Sequence, residues 1–256
     1  MIFKNFPEHL YLSVTFLTRI PLPYFQRKLN QSLASSAYCF AVVGALIGII
    51  AGGFIWVIQP LGLDNLVIAI LVVGFTALLT GALHEDGLAD CCDGFGGDHN
   101  RDRKLEIMKD SRIGTYGVLA LVLITALKIA LFSRLMEVNF LQLIFALAVV
   151  HSLSRASMPV TMAIMSPAKT SGLASTAGKV TPALAVLGFG LSLLIVWIVF
   201  GFIPMFWAAI LTLIVLAGFV MLSHRQIGGF TGDSLGAQQQ LLEVALLAFF
   251  VSHVGF

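Results

Sequence analysis

Three aspartates, Asp86, Asp90 and Asp93, are the residues of this chain whose type and spacing best suit catalysis. On a helix, the i, i+4 and i+7 positions share one face. Two carboxylates about 6 Å apart repel each other by roughly 3 kcal/mol at an effective dielectric constant of about 20. Three carboxylates on one face therefore need a cation to stay ionised together. Hard oxygen ligands favour Mg²⁺ or Ca²⁺, and Mg²⁺ commonly bridges to a substrate phosphate. The spacing therefore predicts a divalent metal site.

The aspartates belong to a charged segment, residues 84–112, that interrupts an otherwise apolar chain. It contains eight of the thirteen acidic residues: Glu85, Asp86, Asp90, Asp93, Asp98, Asp102, Glu106 and Asp110. Asp110 follows Glu106 by one helical turn, and Arg103 and Lys109 carry charges that suit phosphate oxygens. Glu85 is expected to face solvent. The alternative for residues 101–112 is a solvated amphipathic helix held by i,i+4 ion pairs.

A second polar loop is predicted at residues 224–238, where four glycines surround Asp233. Such a loop can fold tightly against a ligand and offer its backbone N–H groups to phosphate oxygens. The alternative is a flexible turn between helices. Arg155, predicted near the end of a membrane span, is a functional candidate by position. Its alternative is an arginine that extends its charge to the interface.

The composition places these polar segments in a membrane protein. Of 256 residues, 58% are hydrophobic and 11% charged, with a mean hydropathy of +0.96, whereas soluble domains carry about 25% charged residues. A helix needs roughly 20 apolar residues to cross a bilayer. We therefore expect a single all-α integral membrane domain over residues 1–256, a polytopic transmembrane helical bundle. About seven spans are predicted, at residues 34–58, 66–83, 114–133, 138–158, 182–200, 204–223 and 239–255. An interfacial or re-entrant segment is expected at residues 1–20.

The basic residues indicate the orientation of the bundle. With the N-terminus in the cytoplasm, only Lys128 and Arg134 of the fifteen lysines and arginines lie toward the other side. The positive-inside rule therefore predicts that the polar loops, and with them the active face, are cytoplasmic. No basic stripe indicates a nucleic-acid partner. The remaining candidate metal ligands lack the two-residue gap typical of zinc sites: His84, Cys91, Cys92 and His99.

Four motifs carry a resemblance to a known family that runs almost from end to end. They are Thr18 to Pro23 (TRIPLP), His84 to Gly94 (HEDGLADCCDG), Leu105 to Thr115 (LEIMKDSRIGT) and Gly228 to Ala237 (GGFTGDSLGA). Together they resemble the cobalamin synthase family, the adenosylcobinamide-GDP ribazoletransferases or cobalamin-5′-phosphate synthases. Residues 24–33 and 159–181 carry nothing diagnostic apart from Gly178-Lys179.

The resemblance implies a transferase of a bacterial cytoplasmic (inner) membrane that joins adenosylcobinamide-GDP to α-ribazole, or to its 5′-phosphate, and releases GMP. The bilayer is then a further partner, and a homo-oligomer is compatible with the sequence. Mg²⁺ is the expected cofactor, with these ligands: Asp86, Asp90, Asp93 and Asp110. Asp93 and Asp110 are the expected catalytic residues, and Asp110 is the first candidate for accepting the hydroxyl proton of the acceptor. The expected substrate-binding residues are Arg19, Arg103, Lys109, Ser111, Arg112, Arg155, Lys179, Thr231, Gly232 and Asp233.

Three other functions use similar residues. A CDP-alcohol phosphotransferase also presents aspartates after a DG-x-x-A motif, but this chain has Asp90 directly after Ala89, where that pattern carries arginine. A membrane prenyltransferase would need paired aspartate-rich motifs that are missing here. A cation transporter would need acidic residues at the middle of the bilayer, and the predicted spans hold almost none.

Overall fold

The computed structural model describes residues 5–23, 32–169 and 176–254, and its regular structure there is helical, apart from one isolated β-bridge between Pro167 and Phe230. In these residues the α-helices are α1 Phe6–Leu17, α2 Leu33–Ser36, α3 Cys39–Ile58, α4 Asn65–Thr80, α5 Leu83–Gly97, α6 Arg101–Ile107, α7 Thr115–Leu135, α8 Phe140–Ile164, α9 Pro182–Phe200, α10 Phe202–Ile227 and α11 Gly232–Val254. The predicted all-α fold is confirmed.

Among the described residues, six helices are long and apolar enough to cross a membrane: α3 with the 3-10 turn that follows it, α7, α8, α9, α10 and α11. α4 and α5 meet the same criterion together but are bent by 90° at the break between them. Counting this pair as one crossing gives seven, as predicted. α5, the helix that carries the aspartates, does not continue α4, because Gly81 and Ala82 adopt left-handed backbone conformations that end α4.

Several helix boundaries differ from the predicted spans. The first span begins at Cys39 rather than residue 34, because a separate short helix, α2, is capped by the side chain of Ser32. α10 continues to Ile227, and α11 already begins at Gly232. The predicted polar loop at 224–238 is therefore mostly helical. Only residues 228–231 connect the two helices, which fixes the position of the polar side chains more firmly than a long loop would.

α8 is the central helix of the bundle. In its most apolar window 83% of the residues are buried inside the protein, compared with 22% for α9 and α10. α3 packs directly on it through glycines: a Cβ on Gly44 would lie 2.2 Å from the carbonyl oxygen of His151, and one on Gly48 would lie 2.3 Å from that of Leu147. Small residues let membrane helices approach this closely. The peripheral helices α7, α9 and α10 leave most of their apolar surface exposed.

α1 is the predicted N-terminal segment that does not span a membrane. Its twelve residues are about 18 Å long, and it buries His9, Ser13 and Leu17 against the bundle. Its C-terminal end meets the turn after α4, since the N–H of Arg19 donates to the carbonyl oxygen of Leu79 at 2.7 Å. α1 thus covers the end of the bundle where the charged segments converge.

Candidate active site

A cavity of about 330 Å³ opens at this end of the bundle. That volume is near the lower limit of small-molecule sites, which are roughly 300–1,000 Å³. Its polar lining residues are His84, Asp86, Lys109, Lys169, Thr231 and Asp233. The cavity therefore brings together five of the predicted site residues: Asp86, Lys109, Thr231, Gly232 and Asp233.

α5 and α11 cross at two glycines, and this crossing brings together aspartates that are far apart in the sequence. A Cβ on Gly87 would lie 2.8 Å from the carbonyl oxygen of Asp233, and a Cβ on Gly236 would lie 3.2 Å from the backbone of α5. The helix backbones are consequently in contact. Asp86 and Asp233 both reach the cavity from this crossing, and the charges of both act on Asp90, one turn further along α5.

A reciprocal cap fixes the start of α11. The N–H of Thr231 donates to Oγ of Ser234 at 2.9 Å, and the N–H of Ser234 donates to Oγ1 of Thr231 at 3.1 Å. Capping of this kind satisfies N–H groups that have no partner inside the helix. Asp233 lies in the first turn, where the partial positive charge of the helix end favours a carboxylate. The Thr231 hydroxyl therefore positions Asp233. This role differs from the substrate contact that the sequence predicted for Thr231.

Two lysines form the basic side of the cavity. Lys109 follows α6 and Lys169 follows α8, and Nζ of Lys169 donates to the carbonyl oxygen of Leu105 at 2.9 Å. Burial, followed by the positive charge of Lys109, lowers the pKa of Lys169. Two ammonium groups that disfavour each other's charge are stabilised by an anion between them. This side of the cavity therefore suits phosphate.

The connection after α10 is held in place by backbone hydrogen bonds and one arginine. Phe230 pairs with the chain after α8: its N–H donates to the carbonyl oxygen of Ser166 at 3.1 Å, and its own carbonyl accepts from Ala168 at 2.8 Å. Arg101 donates to the carbonyl oxygens of Ile227 and Ala168, at 2.9 and 2.6 Å. The prediction that this loop offers its N–H groups to phosphate is wrong at Phe230 and at the following residue, because both groups are used inside the protein.

Asp93 occupies a different position from the one predicted. Its carboxylate accepts hydrogen bonds from the N–H groups of Gly114 at 2.7 Å and Gly117 at 2.8 Å, and its side chain is buried. Both oxygens thus cap the N-terminus of α7, where a negative charge is favoured. This contact ties α5 to α7 and argues against the predicted metal-binding and catalytic roles of Asp93.

Asp110 also makes a contact that differs from the predicted one. It pairs with Arg112, with 2.8 Å between Oδ2 and Nη2, and these hydrogen bonds lower the pKa of Asp110 to about 2. A general base works best when its pKa lies near the working pH, so this pairing argues against the predicted proton-accepting role. Arg103 is likewise paired with Glu106 at 2.7 Å, in solvent. Ser111 is exposed.

Arg155 lies in a buried charge cluster rather than at the cavity. The cluster is centred on Glu243, whose carboxylate lies 2.8 Å from Nζ of Lys128, 3.4 Å from His151 and 3.7 Å from Arg155. Lys128 is also 3.6 Å from Glu85. The prediction that Glu85 faces solvent is therefore wrong. Glu243 is thus an acidic residue inside a span, α11. It is also the charged partner of Arg155, which gives that arginine a structural role.

The two remaining predicted substrate-binding residues are exposed and do not line the cavity. The side chain of Arg19 lies against the turn at Gly81, where an added Cβ would be 2.2 Å from its Nε. Lys179 lies just before α9. Neither Arg19 nor Lys179 is therefore placed in the cavity with the aspartates of α5 and α11.

The donor set at the cavity fits Mg²⁺ as a metal shared with a substrate. In residues 5–23, 32–169 and 176–254, no three His, Cys, Asp or Glu side chains converge closely enough to enclose a metal ion by themselves. Mg²⁺ is usually bound by one or two carboxylates plus water and substrate phosphates, not by an all-protein cage. Asp86 and Asp233, with Asp90 close by, supply such a partial set beside an open cavity.

Sequence reasoning missed two polar groups and one wall of the site. One of them is His84, which the sequence offered only as a poor zinc ligand. Lys169 lies in a region without a recognisable motif, and only its charge beside an apolar helix could have indicated it. The apolar wall is formed by residues that read as ordinary core positions: Phe16, Phe40, Met158, Met162, Phe230 and Leu235. The buried charge cluster had a signal, since a single glutamate within a predicted span is costly unless it is paired.

Comparisons with known proteins show the family to which the chain belongs. The family described as Cobalamin-5-phosphate synthase matches residues 9–251. The adenosylcobinamide-GDP ribazoletransferase of Bradyrhizobium diazoefficiens is 38% identical over 95% of this chain and 93% of its own length. The enzyme of the same name from Azorhizobium caulinodans is 40% identical over 92% of each chain. No solved structure matches the chain. The chain belongs to the cobalamin-5-phosphate synthase family.

Proposed function

We propose that this protein transfers the cobinamide-phosphoryl group of adenosylcobinamide-GDP to a ribose hydroxyl of α-ribazole, or of its 5′-phosphate, and releases GMP. The relatives described above are named as enzymes that act on adenosylcobinamide-GDP and transfer ribazole. The observation that carries the proposal is one cavity lined by both aspartates and lysines: Asp86, Asp233, Lys109 and Lys169. Transfer from a diphosphate uses both kinds of side chain. Lysines bind the phosphate oxygens, and carboxylates hold a metal ion that neutralises the charge of the leaving group.

Asp86 and Asp90 would hold Mg²⁺ on the donor diphosphate, because they are one turn apart on α5 and so share a face. When bound, the ion supplies charge neutralisation at the diphosphate. Asp233 approaches the same cavity from α11 and is held there by the cap and by the contact at Gly87. Placing ligands on two packed helices, rather than on loops, keeps their separation fixed.

The remaining groups bind phosphate and move one proton. Lys109 and Lys169 bind the non-bridging oxygens of the donor. The acceptor hydroxyl oxygen forms a bond to the phosphorus that carries the cobinamide, and the bond from that phosphorus to the GMP oxygen breaks. Asp233 accepts the hydroxyl proton on one carboxylate oxygen while its other oxygen stays available to the ion, since it lines the cavity, whereas Asp110 is held by Arg112. GMP leaves with the electron pair of the broken bond.

We further propose that the cavity faces the cytoplasm of a bacterial inner membrane. Most lysines and arginines of the described residues lie at the cavity end of the bundle, and the opposite end carries Arg134 in the last turn of α7. This asymmetry matches the positive-inside rule. A cysteine at Ser111, beside the cavity end, should react with a membrane-impermeant maleimide in inside-out vesicles and not in intact spheroplasts. The opposite labelling pattern would reverse the orientation.

The activity is tested with purified full-length protein in nanodiscs, supplied with Mg²⁺, adenosylcobinamide-GDP and α-ribazole, with corrinoid products and GMP followed by chromatography. We expect Asp86→Asn and Asp90→Asn to lower turnover by at least about 10³-fold, because a metal ligand is lost. Asp64→Asn is the matched control, since Asp64 caps α4 at the opposite end of the bundle and asparagine caps equally well. Full activity of Asp86→Asn at saturating Mg²⁺ would remove that residue from the ligand set.

The same assay separates the rival function. A CDP-alcohol phosphotransferase would release CMP from a CDP-activated donor and ignore the GDP-activated one. Removal of divalent ions by a chelator should abolish GMP release, and Mg²⁺ should restore it. Turnover that persists without divalent ions would exclude the proposed metal while leaving the transferase activity intact.

A further inference from the structure

The cavity has two chemically different walls within the described part of the chain. The polar wall carries Asp86, Asp233, Lys109 and Lys169. Beside it lies an apolar wall, part of one hydrophobic cluster, that comes from five elements: α1, α3, α8, the connection before α11 and α11 itself. It consists of Phe16, Phe40, Met158, Met162, Phe230 and Leu235. A ligand that fills this space must be apolar and compact at one end and anionic or hydroxylated at the other.

The apolar wall is rigid before any ligand arrives. Phe16 and Phe40 are stacked, with ring centroids 5.8 Å apart. Phe40 and Phe230 have only 1% and 2% of their surface exposed, and Met158 has 4%. Phe230 is also fixed through its backbone by the bridge to the chain after α8. A pre-formed aromatic and thioether surface of this kind suits a flat aromatic ring, because stacking and sulfur contacts both need a fixed partner.

The groups of the two proposed substrates differ in how well they suit this wall. A corrin macrocycle is far larger than a cavity of about 330 Å³ allows. Guanine is flat, but its edge carries several donors and acceptors, and the wall residues Phe16, Phe40, Met158 and Met162 offer no strong partner for them. Burying such groups without partners is costly. A dimethylbenzimidazole ring has an apolar edge and a single free ring nitrogen.

We propose that the apolar wall is the binding site for the aromatic base of the acceptor, so that α-ribazole enters base first and presents its ribose to the polar wall. The proposal rests on the function proposed above and adds the placement of one substrate. With the base against Phe16 and Met162, the ribose lies toward Asp233, which accepts its proton. The donor then contributes only its diphosphate to this cavity, and its corrin ring lies outside.

Met162→Gln tests this placement, with Met162→Leu as the matched control that keeps the wall apolar. We measure binding of α-ribazole to the protein in nanodiscs without donor or Mg²⁺, and then the KM of each substrate. Met162→Gln should raise both the Kd and the KM for α-ribazole about tenfold or more, because a buried amide lacks partners there. The KM for adenosylcobinamide-GDP should stay within about twofold, and Met162→Leu, which keeps the wall apolar, should raise the Kd for α-ribazole much less than Met162→Gln does.

A measurement on the unmodified protein avoids any dependence on folding of the variants. Free 5,6-dimethylbenzimidazole should inhibit competitively against α-ribazole and non-competitively against the donor. Competition against the donor, or a Met162→Gln effect confined to the donor KM, would overturn the placement while the transferase activity stands. Absence of turnover by the unmodified protein with both substrates would instead refute the proposed function. Met158→Gln should repeat the effect if Met162→Gln does not fold.

Discussion

The crossing of α5 and α11 at Gly87 gives the sharpest prediction. A Cβ at this position would lie 2.8 Å from the carbonyl oxygen and 2.9 Å from the Cα of Asp233. Both atoms belong to the backbone, so no side chain can rotate away. Comfortable contact begins near ~3.5 Å, and Gly87→Ala must therefore separate the two helices by about 0.6 Å. The separation moves Asp86 and Asp90 away from Asp233.

The size of the effect follows from this displacement. A misplacement of about 1 Å can cost roughly 10²-fold in rate, so about 0.6 Å should lower kcat by roughly tenfold to a hundredfold. Overpacking of this kind destabilises by about 1–3 kcal/mol, which leaves a folded protein to assay. The Mg²⁺ concentration at half-maximal activity should rise, because the carboxylates of the two helices no longer approach the ion together.

Gly190→Ala is the matched control for this prediction. Gly190 is also within a helix, α9, but a Cβ there would meet nothing within 4 Å. Alanine is favoured over glycine in a helix by roughly 0.5–1 kcal/mol, so the control should be slightly more stable and fully active. If Gly87→Ala keeps kcat within about twofold with an unchanged Mg²⁺ requirement, the reasoning that the crossing sets the aspartate geometry is refuted.

Three further outcomes are expected. Asp93→Asn leaves one of two backbone N–H groups of α7 without its acceptor and should lower stability by about 1–2 kcal/mol, measured as a lower Tm in detergent; an unchanged Tm would contradict the capping role. Glu243→Gln should reduce the yield of folded protein because Lys128 loses its counter-charge, and adding Lys128→Met should restore part of it. The lowered pKa of Asp110, about 2, means that its stabilising ion pair with Arg112 is present above the usual carboxyl range and is lost only as pH falls through that value. Asp110→Asn should therefore leave the shape of the kcat/KM profile between about pH 5 and 9 unchanged, and a shifted acid limb would restore Asp110 as a base.

The sequence predicted the helical fold and the face of α5 shared by Asp86 and Asp90 because both depend on local periodicity. Apolar runs of about 20 residues define spans whatever lies beside them, and Asp86 and Asp90 share a face on any helix. The 90° turn at Gly81 was not predictable in the same way. It depends on left-handed conformations at two successive residues, one of them the non-glycine Ala82, for which the sequence gives no preference.

Assignments that depended on tertiary partners were less successful. Asp93 and Asp110 match Asp86 in type and lie in the same segment, yet one caps α7 and the other pairs with Arg112. Sequence spacing identifies residues that share a face but does not identify which neighbour that face meets. Lys169 illustrates the converse, since it enters the cavity only because the chain after α8 pairs with Phe230.

The buried charge cluster explains how such an acidic helix can be held against the bundle. Lys128 on α7 lies between Glu85 on α5 and Glu243 on α11, and Gln240 donates to Glu85 at 3.1 Å. Because Glu85 directly precedes Asp86, these contacts fix the rotation of α5 about its axis. A rotated α5 would break a buried ion pair, which is strongly unfavourable away from water. The cluster therefore holds the face of α5 that carries Asp86 toward α11, while the glycine crossing sets the distance between the two helices.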